Sequence, residues 1–157
     1  MISLNMVSSA LARKLRAWQL FSADERNLFV LSVLLLVSIR GVMKLLGFRR
    51  TKNILERVIA PQTQRTTNPE LARVLARIVA MARRNLMFEA TCLEHSLTLW
   101  LLLRRRGLAG KLVMGTRLQN GAFEGHAWIE YEGQVINDTA DVTTRYAVLL
   151  EVEEPAS

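Results

Sequence analysis

The chain has 157 residues, enough for one ordinary domain with a small helical extension. Half of the residues are hydrophobic, which predicts a buried core and excludes a disordered chain. The single cysteine excludes an internal disulfide and gives no sign of an oxidising compartment, so a cytoplasmic location is predicted.

The net charge of +7 is concentrated in the first part of the chain. Residues 1–90 hold 15 Lys/Arg against 5 Asp/Glu, whereas residues 91–157 hold 6 against 9. The arginines are scattered along helical patterns without interleaved aromatic residues, and no DNA- or RNA-binding motif is present. We expect solvated helix faces and no nucleic-acid partner. The alternative for the basic half is an acidic peptide or protein, or a membrane surface.

Residues 1–60 are predicted to form a helical N-terminal region, with a first helix at 11–21. Ser22 and Glu25 have the spacing of a capping box and start a second helix. Its segment Leu28–Ile39 is apolar on nearly all sides, but its 12 residues fall short of the ~20 that a membrane-spanning helix needs. We expect a buried helix, with peripheral membrane contact through residues 28–46 as the alternative.

A polar segment with two prolines, residues 61–69, predicts a connection. Asn68 as N-cap and Pro69 at the first helical position open the next helix. The apolar residues of this helix follow the spacing of one buried stripe: Leu71, Val74, Leu75, Ile78, Val79 and Ala82. We therefore predict a helical N-terminal region at 1–60 and a core domain at 61–157.

The only cysteine, Cys92, lies at the start of a predicted helix. Thr91 is its N-cap, Glu94 completes a capping box, and Gly107 ends the helix. Unpaired backbone N–H groups and the helix dipole stabilise a thiolate in the first turn. This position indicates a nucleophile rather than a buried cysteine that only fills space.

After Gly107 the hydrophobic period changes to that of strands, which are predicted at 111–118, 126–131 and 134–137. The last two are joined by a hairpin around Glu132 and Gly133. Helices followed by an antiparallel sheet predict an α+β fold, with the Cys92 helix as the central buried helix.

A histidine and an aspartate follow Cys92 in an order that matters chemically. His126 begins the second predicted strand, and Asp138 comes twelve residues later. A thiol, an imidazole and a carboxylate supply a nucleophile, a base and an orienting group, the set that transfers acyl groups through a thioester. We predict Cys92, His126 and Asp138 as catalytic residues.

The length of the hairpin loop decides which aspartate faces His126. A three-residue loop, Tyr131–Gly133, sets Asp138 directly opposite His126 on the neighbouring strand. A two-residue loop would instead bring Asp141 near His126. That loop requires positive φ at Glu132, which a non-glycine residue adopts reluctantly. We predict the three-residue loop and Asp138, with Asp141 as the alternative.

The second histidine, His95, lies one helical turn after Cys92. Cys92, His95 and His126 could be three zinc ligands, but a closed four-ligand site would then need a carboxylate. The other interpretation is a residue packed beside the pocket or exposed at the helix start. We predict no metal site and no cofactor.

The motifs around Cys92 and His126 resemble those of a known family. Residues 92–97, Cys-Leu-Glu-His-Ser-Leu, followed by residues 102–107, resemble the cysteine motif of the lasso-peptide B proteins, in their leader-peptidase half. Residues 112–117 and 126–138 resemble the histidine and aspartate segment of that family, and residues 21–50 are similar to its front end. The resemblance implies a transglutaminase-like, papain-like fold.

The resemblance also implies a function. Cys92 matches the nucleophile, His126 the base and Asp138 the orienting residue of a cysteine peptidase that removes the leader from a ribosomally synthesised lasso-peptide precursor. Without a strand-rich domain in front, the chain resembles the stand-alone form. The implied partners are the leader region of the precursor peptide, a separate leader-recognition protein and an ATP-using, asparagine-synthetase-like lactam synthetase.

Two other functions stay open. A transglutaminase or acyltransferase would use the same three residues and differ only in whether an amine or water resolves the thioester. A non-catalytic scaffold in a membrane-associated synthetase complex would account for the apolar front helix.

Overall fold

A computed structural model describes residues 21–58 and 66–152. Within them, the helices α1 (Ala23–Val58), α2 (Pro69–Arg84) and α3 (Cys92–Arg105) are followed by strands β1 (Lys111–Gln119), β2 (Ala122–Tyr131) and β3 (Gln134–Val135), the short helix α4 (Val142–Arg145) and strand β4 (Ala147–Val152). The predicted α+β class is confirmed. The predicted helix at 11–21 and most of the connection 61–69 lie outside the described residues.

Local hydrogen bonds confirm the predicted helix starts. Ser22 and Glu25 each accept a bond from the backbone N–H of the other, both at 3.1 Å. Thr91 and Glu94 do the same at the start of α3, at 3.2 and 2.8 Å. The Asn68 side chain caps α2 in the predicted way. These bonds satisfy N–H groups that a helix leaves unpaired in its first turn.

Helix α1 runs well past the apolar segment Leu28–Ile39 and has two unlike faces. It continues across a kink at Gly47, where φ is 74°. One face is buried against α2 and α3 and carries Leu28, Ser32, Leu36 and Ile39. The other face exposes Val30, Leu34, Val37 and Leu45. The expectation of a buried helix therefore holds for one face and fails for the other.

By length and composition alone, α1 is long and apolar enough to cross a membrane, a test that core helices also pass. Its buried face belongs to the same hydrophobic core as α2 and α3. The predicted division of the chain at residue 60 stays a prediction.

The antiparallel sheet has the strand order β3-β2-β1-β4. Ala127, Ile129 and Tyr131 of β2 face the main core, where α3 packs, as predicted for the cysteine-bearing helix. On the other face, Trp128 forms a small second core with Val113, Val142 and Tyr146. From Ala127 to Ile129, the alternating side chains of β2 are thus buried on both faces of the strand.

The hairpin between β2 and β3 differs from the prediction. Tyr131 pairs with Gln134, so the loop consists of Glu132 and Gly133 alone. Both residues have positive φ, 50° and 72°, as a type I′ turn requires. The predicted three-residue loop is wrong, and the third strand ends at Val135 rather than at Asn137.

Candidate active site

Cys92 is the first residue of α3 and is half-buried. The turn that carries it is held by Glu94, a buried residue whose carboxylate accepts the Thr91 N–H. Arg40 of α1 lies 3.3 Å from the same carboxylate and donates to the Glu89 carbonyl at 2.8 Å. Helix α1 therefore anchors the start of α3, where the candidate nucleophile lies.

Cys92 and His126 line the same cavity, which has a volume of about 500 Å³. The alternation of β2 turns His126 toward the face of Trp128, whereas Cys92 packs against the main core on the other face. Gly115 and Gly125 contribute backbone alone to the wall of the cavity. The rest of the lining is apolar and comes from Leu93, Met114, Ala127, Leu149 and Leu150.

The structure brings His126 and Asp138 together, as predicted. Nε2 of His126 lies 2.5 Å from Oδ2 of Asp138. The other carboxylate oxygen accepts the Thr139 backbone N–H at 2.7 Å. Partial burial by itself would raise the pKa of Asp138, but the hydrogen bonds from His126 and Thr139 together hold that pKa below its usual value. Asp138 is therefore a carboxylate at neutral pH.

Asp138 reaches His126 by a route that the sequence did not predict. After β3 the Ile136 N–H still donates to the Ile129 carbonyl at 3.0 Å, and the Asn137 side chain then replaces the backbone as the partner of β2. Oδ1 of Asn137 accepts the Ile129 N–H at 2.7 Å, and Nδ2 donates to Ser96 Oγ at 2.9 Å. Ser96 Oγ donates in turn to the Ala127 carbonyl at 3.0 Å. This network fixes the loop before Asp138 to both α3 and β2.

The sequence pattern did not predict the roles of Ser96 and Asn137. Ser96 is fully buried in α3, one turn after Cys92 on the same helix face. That position is the one signal that could have indicated its role. Asn137 offers no comparable signal, because its partners come from distant parts of the chain.

Asp141, the alternative partner of His126, lies elsewhere. Its carboxylate is 2.9 Å from Nε of Arg145 and its side chain is 60% exposed. The two-residue loop that should have favoured Asp141 is present, yet it does not bring Asp141 to His126. The reason is that the chain leaves the ladder and turns into α4, for which Asp141 is the N-cap.

An aromatic stack supports the His126 ring. The Tyr146 ring lies 4.9 Å from it, with 23° between the planes. Tyr146 Oη donates to Glu124 at 2.8 Å, and Glu124 also accepts two bonds from Arg117, at 2.9 and 2.7 Å. The Arg117 guanidinium lies over the Tyr146 ring, 4.7 Å from its centre. These contacts hold the plane of the imidazole, and the sequence pattern did not predict them.

His95 does not line the cavity of Cys92 and His126. It is 5% exposed, and its Nε2 is buried without a hydrogen-bond partner. Burial, together with the charges of Arg83 and Arg84, lowers the pKa of His95 to about 4. Within residues 21–58 and 66–152, no group of three or more His, Cys, Asp or Glu is arranged to hold a metal ion. Cys92, His95 and His126 therefore do not form the zinc site considered above.

Comparison with known proteins agrees with the fold. A family model described as the transglutaminase-like superfamily matches residues 33–151. The chain is also 36% identical over 66 residues to the microcin J25-processing protein McjB of Escherichia coli. That match covers 42% of this chain and 31% of the relative. No solved structure gives a significant match.

The resemblance to the lasso-peptide B proteins is thus confirmed by a related processing protein, although the match spans less than a third of that relative's length. The family model covers well over half of the chain, including the elements that carry Cys92, His126 and Asp138. The chain belongs to the transglutaminase-like superfamily.

Proposed function

We propose that the protein is a cysteine peptidase that removes the leader from a ribosomally synthesised lasso-peptide precursor. The observation that carries the proposal is that His126, hydrogen-bonded to Asp138, shares a cavity with a cysteine at the start of a helix. Membership of the transglutaminase-like superfamily and similarity to a microcin-processing protein support it.

The geometry suggests a role for each ring nitrogen of His126. The N–H at Nε2 donates to Asp138, which fixes the tautomer and leaves Nδ1 free to accept the Cys92 proton. The thiolate attacks the carbonyl at the leader–core junction and forms a thioester. His126 then protonates the departing amine, and water, activated by the same ring, hydrolyses the thioester.

The start of α3 also supplies a donor for the developing oxyanion. The Thr91 hydroxyl oxygen accepts the Glu94 N–H, and the Thr91 carbonyl oxygen accepts the His95 N–H. Within the described residues, the N–H groups of Cys92 and Leu93 have no such partner. We assign the Cys92 N–H to the oxyanion, because an unpaired N–H at a helix start points toward the nucleophile's own substrate.

The test uses the single cysteine. The full chain, the precursor peptide from the same gene cluster and the leader-recognition protein are mixed, and cleavage is followed by mass spectrometry. Cys92→Ala and wild type alkylated by one equivalent of iodoacetamide should both give no cleaved leader. Asp141→Asn, the matched control at an exposed carboxylate, should cleave normally. Substantial cleavage by Cys92→Ala would contradict the proposal.

An acyltransferase is the second candidate, favoured by the superfamily itself, and only the last step distinguishes it. In the same assay, a primary amine such as putrescine is added in excess over the peptide. A peptidase should yield the free leader acid alone. A leader amide of putrescine as the main product would identify an amine transferase instead.

The assembly that we propose includes the leader-recognition protein and the lactam synthetase, in a cytoplasmic location. The exposed stripe of α1, formed by Val30, Leu34 and Val37, is proposed as a peripheral membrane contact within residues 28–46. Leu34→Asp should then lower sedimentation with anionic lipid vesicles while the protein stays folded. Leu36→Asp, at a fully buried position, should unfold the protein, because it buries an unpaired charge. Unchanged sedimentation of folded Leu34→Asp would exclude the contact.

A further inference from the structure

A second cavity lies beside His95, which belongs to the first turn of α3. It is partly open to solvent, has a volume of about 380 Å³ and lies between the end of α2 and the start of α3. Its walls are formed by Ala80, Arg83, Arg84, Glu89, Ala90, His95 and Asn137. The mechanism proposed above uses neither His95 nor the two arginines.

His95 lines this cavity, and one of its ring nitrogens has no hydrogen-bond partner. Its Nε2 is one of two buried side-chain nitrogens or oxygens in the described part of the chain that lack a hydrogen-bond partner, the other being Trp100 Nε1. Buried polar groups are nearly always paired, so an orphaned atom in a residue that lines a cavity is a candidate for a ligand contact. The ring is neutral at neutral pH, because burial lowers the pKa of His95 to about 4. One tautomer of the neutral ring donates an N–H from Nε2.

The two arginines make the cavity cationic. Nε of Arg83 donates to the Ala90 carbonyl at 3.0 Å, which fixes the guanidinium and leaves its terminal N–H groups available. Among the described residues, no carboxylate forms an ion pair with Arg83 or Arg84. Glu89 is the one acidic residue in the cavity wall. Two guanidinium groups and one carboxylate leave a single positive charge, which matches a carboxylate better than a doubly charged phosphate.

The cavity adjoins a depression that reaches Asp138, although it shares no lining residue with the cavity of Cys92 and His126. This depression shares Ala80 and Asn137 with it and extends along α2 to Asp138. His95 lies three residues after Cys92, about 4.5 Å along the helix axis. A peptide with its scissile bond at Cys92 would have to follow this depression past Asp138 to place a nearby side chain in the cavity.

We propose that this cavity binds the side-chain carboxylate of an aspartate or glutamate in the peptide substrate, held by Arg83, Arg84 and Nε2 of His95. The identification of the ligand as part of a peptide substrate rests on the proposed function. The carboxylate supplies the acceptor that Nε2 lacks and pairs with arginine in the geometry that guanidinium groups favour. The cavity then selects substrates with an acidic residue close to the cleavage site.

The binding test does not depend on turnover. The chain contains two histidines, so their ring resonances can be assigned by NMR with a His126→Ala variant. N-acetylglutamate α-amide should shift the His95 signals saturably and leave those of His126 in place. N-acetylglutamine α-amide should have no effect, because it lacks the charge. Inorganic phosphate, the other candidate anion, should bind more weakly than the glutamate derivative.

Two variants locate the site. Arg84→Gln should weaken binding of the glutamate derivative about tenfold, since it removes one charged partner. Arg83→Gln should do the same, but it also loses the bond to Ala90, so Arg84→Gln remains the decisive variant. The matched control is Arg105→Gln, which removes an exposed arginine from the last turn of α3 and should leave binding unchanged.

The proposal is overturned if the glutamate derivative gives no saturable shift at His95, if the glutamine derivative binds equally well, or if phosphate binds more tightly. It is also overturned if Arg84→Gln binds like the control. None of these outcomes depends on Cys92. Cleavage by Cys92→Ala would contradict the peptidase proposal without contradicting the carboxylate site. A missing His95 shift would contradict the carboxylate site without contradicting the peptidase proposal.

Discussion

The two histidines of this chain have opposite surroundings. His126 is partly exposed, bonds to Asp138 through Nε2 and stacks on Tyr146. His95 is nearly closed off from solvent, and its Nε2 has no partner. His95 is only three residues from Cys92, whereas His126 is 34 residues away. We assign the base from the hydrogen-bond partner of the ring rather than from its proximity to Cys92 in the sequence, and the assignment stays a proposal.

The two histidines also differ in how the charge of Asp138 acts on them. Asp138 bonds to His126 without lining the cavity and can stabilise an imidazolium there. The same carboxylate acts on His95 only through space, where its effect is outweighed by burial and by Arg83. One ring is thus placed to gain a proton during a reaction, and the other is kept neutral. The following predictions test this difference.

The largest expected effect is on turnover by His126→Ala. Removing the proposed base should lower kcat/KM for leader cleavage about a thousandfold or more, because a nucleophile and its base act as one unit. His95→Ala should cost only about tenfold, through a raised KM, because it removes one neutral donor to the bound carboxylate. Steady-state kinetics on the precursor peptide measure both values. A larger loss in His95→Ala would mean that the base is wrongly assigned.

Asp138→Asn should have the next largest effect. It keeps the shape of the side chain but removes the charge that orients His126 and stabilises its protonated form. We expect kcat to fall about a hundredfold or more, with an unchanged melting temperature. Asp141→Asn, whose partner is Arg145, should be close to wild type. The reverse ranking would show that Asp141 moves to His126 in the working enzyme.

Much of this site could be predicted because its signals are local. Capping boxes at Ser22 and Thr91 depend on residues three apart, and the order of Cys92, His126 and Asp138 depends on the sequence alone. The pairing of His126 with Asp138 was correctly predicted from an incorrect hairpin. Positive φ at Glu132 costs a small amount of free energy. The type I′ turn outweighs this cost because its twist matches the twist of the two strands that it joins.

The missed elements depend on contacts between distant residues. Strand β4 pairs with β1, more than 30 residues earlier, and its side chains from Ala147 to Glu151 are exposed. Such a strand shows no alternation from which to predict it. The bonds that join Ser96, Ala127 and Asn137 link three elements and leave no periodic pattern. Burial of both faces of β2 could likewise not be predicted before β4 and α4 were known.

The free energy of unfolding should depend on pH through His95. In the folded protein its pKa is about 4, whereas an unfolded histidine titrates near 6.5. Between these values the unfolded state binds more protons, so stability falls as the pH is lowered, by about 3 kcal/mol over the window. Asp138 has a lowered pKa, so its contribution is lost only below the ordinary carboxyl range.

Urea unfolding at pH 7, 5.5 and 4 measures this slope, and His95→Gln, which cannot titrate, should lose it. An equal slope in the variant would show that other groups, or the high net charge, cause the acid sensitivity.

The smallest effect that we predict tests whether the two sites can be disturbed separately. Gly115 pairs with His126 across the β1–β2 ladder. A Cβ at this position would lie 2.9 Å from the Ala147 carbonyl oxygen and 3.0 Å from both the Trp128 ring and Tyr146 Cβ. Backbone and packed rings cannot yield easily, so Gly115→Ala should destabilise the protein by about 1–3 kcal/mol.

Gly115→Ala should displace the His126 ring, because the added Cβ pushes on Tyr146 and Tyr146 stacks on that ring. We expect the His126 ring resonances to shift and leader cleavage to slow, while the His95 resonances stay in place. Gly125→Ala is the matched control, since a Cβ there meets no atom within 4 Å, and its stability should stay within about 0.5 kcal/mol of wild type. A shift of both histidines in Gly115→Ala would show that the two sites are coupled through the β2–α3 contact rather than independent.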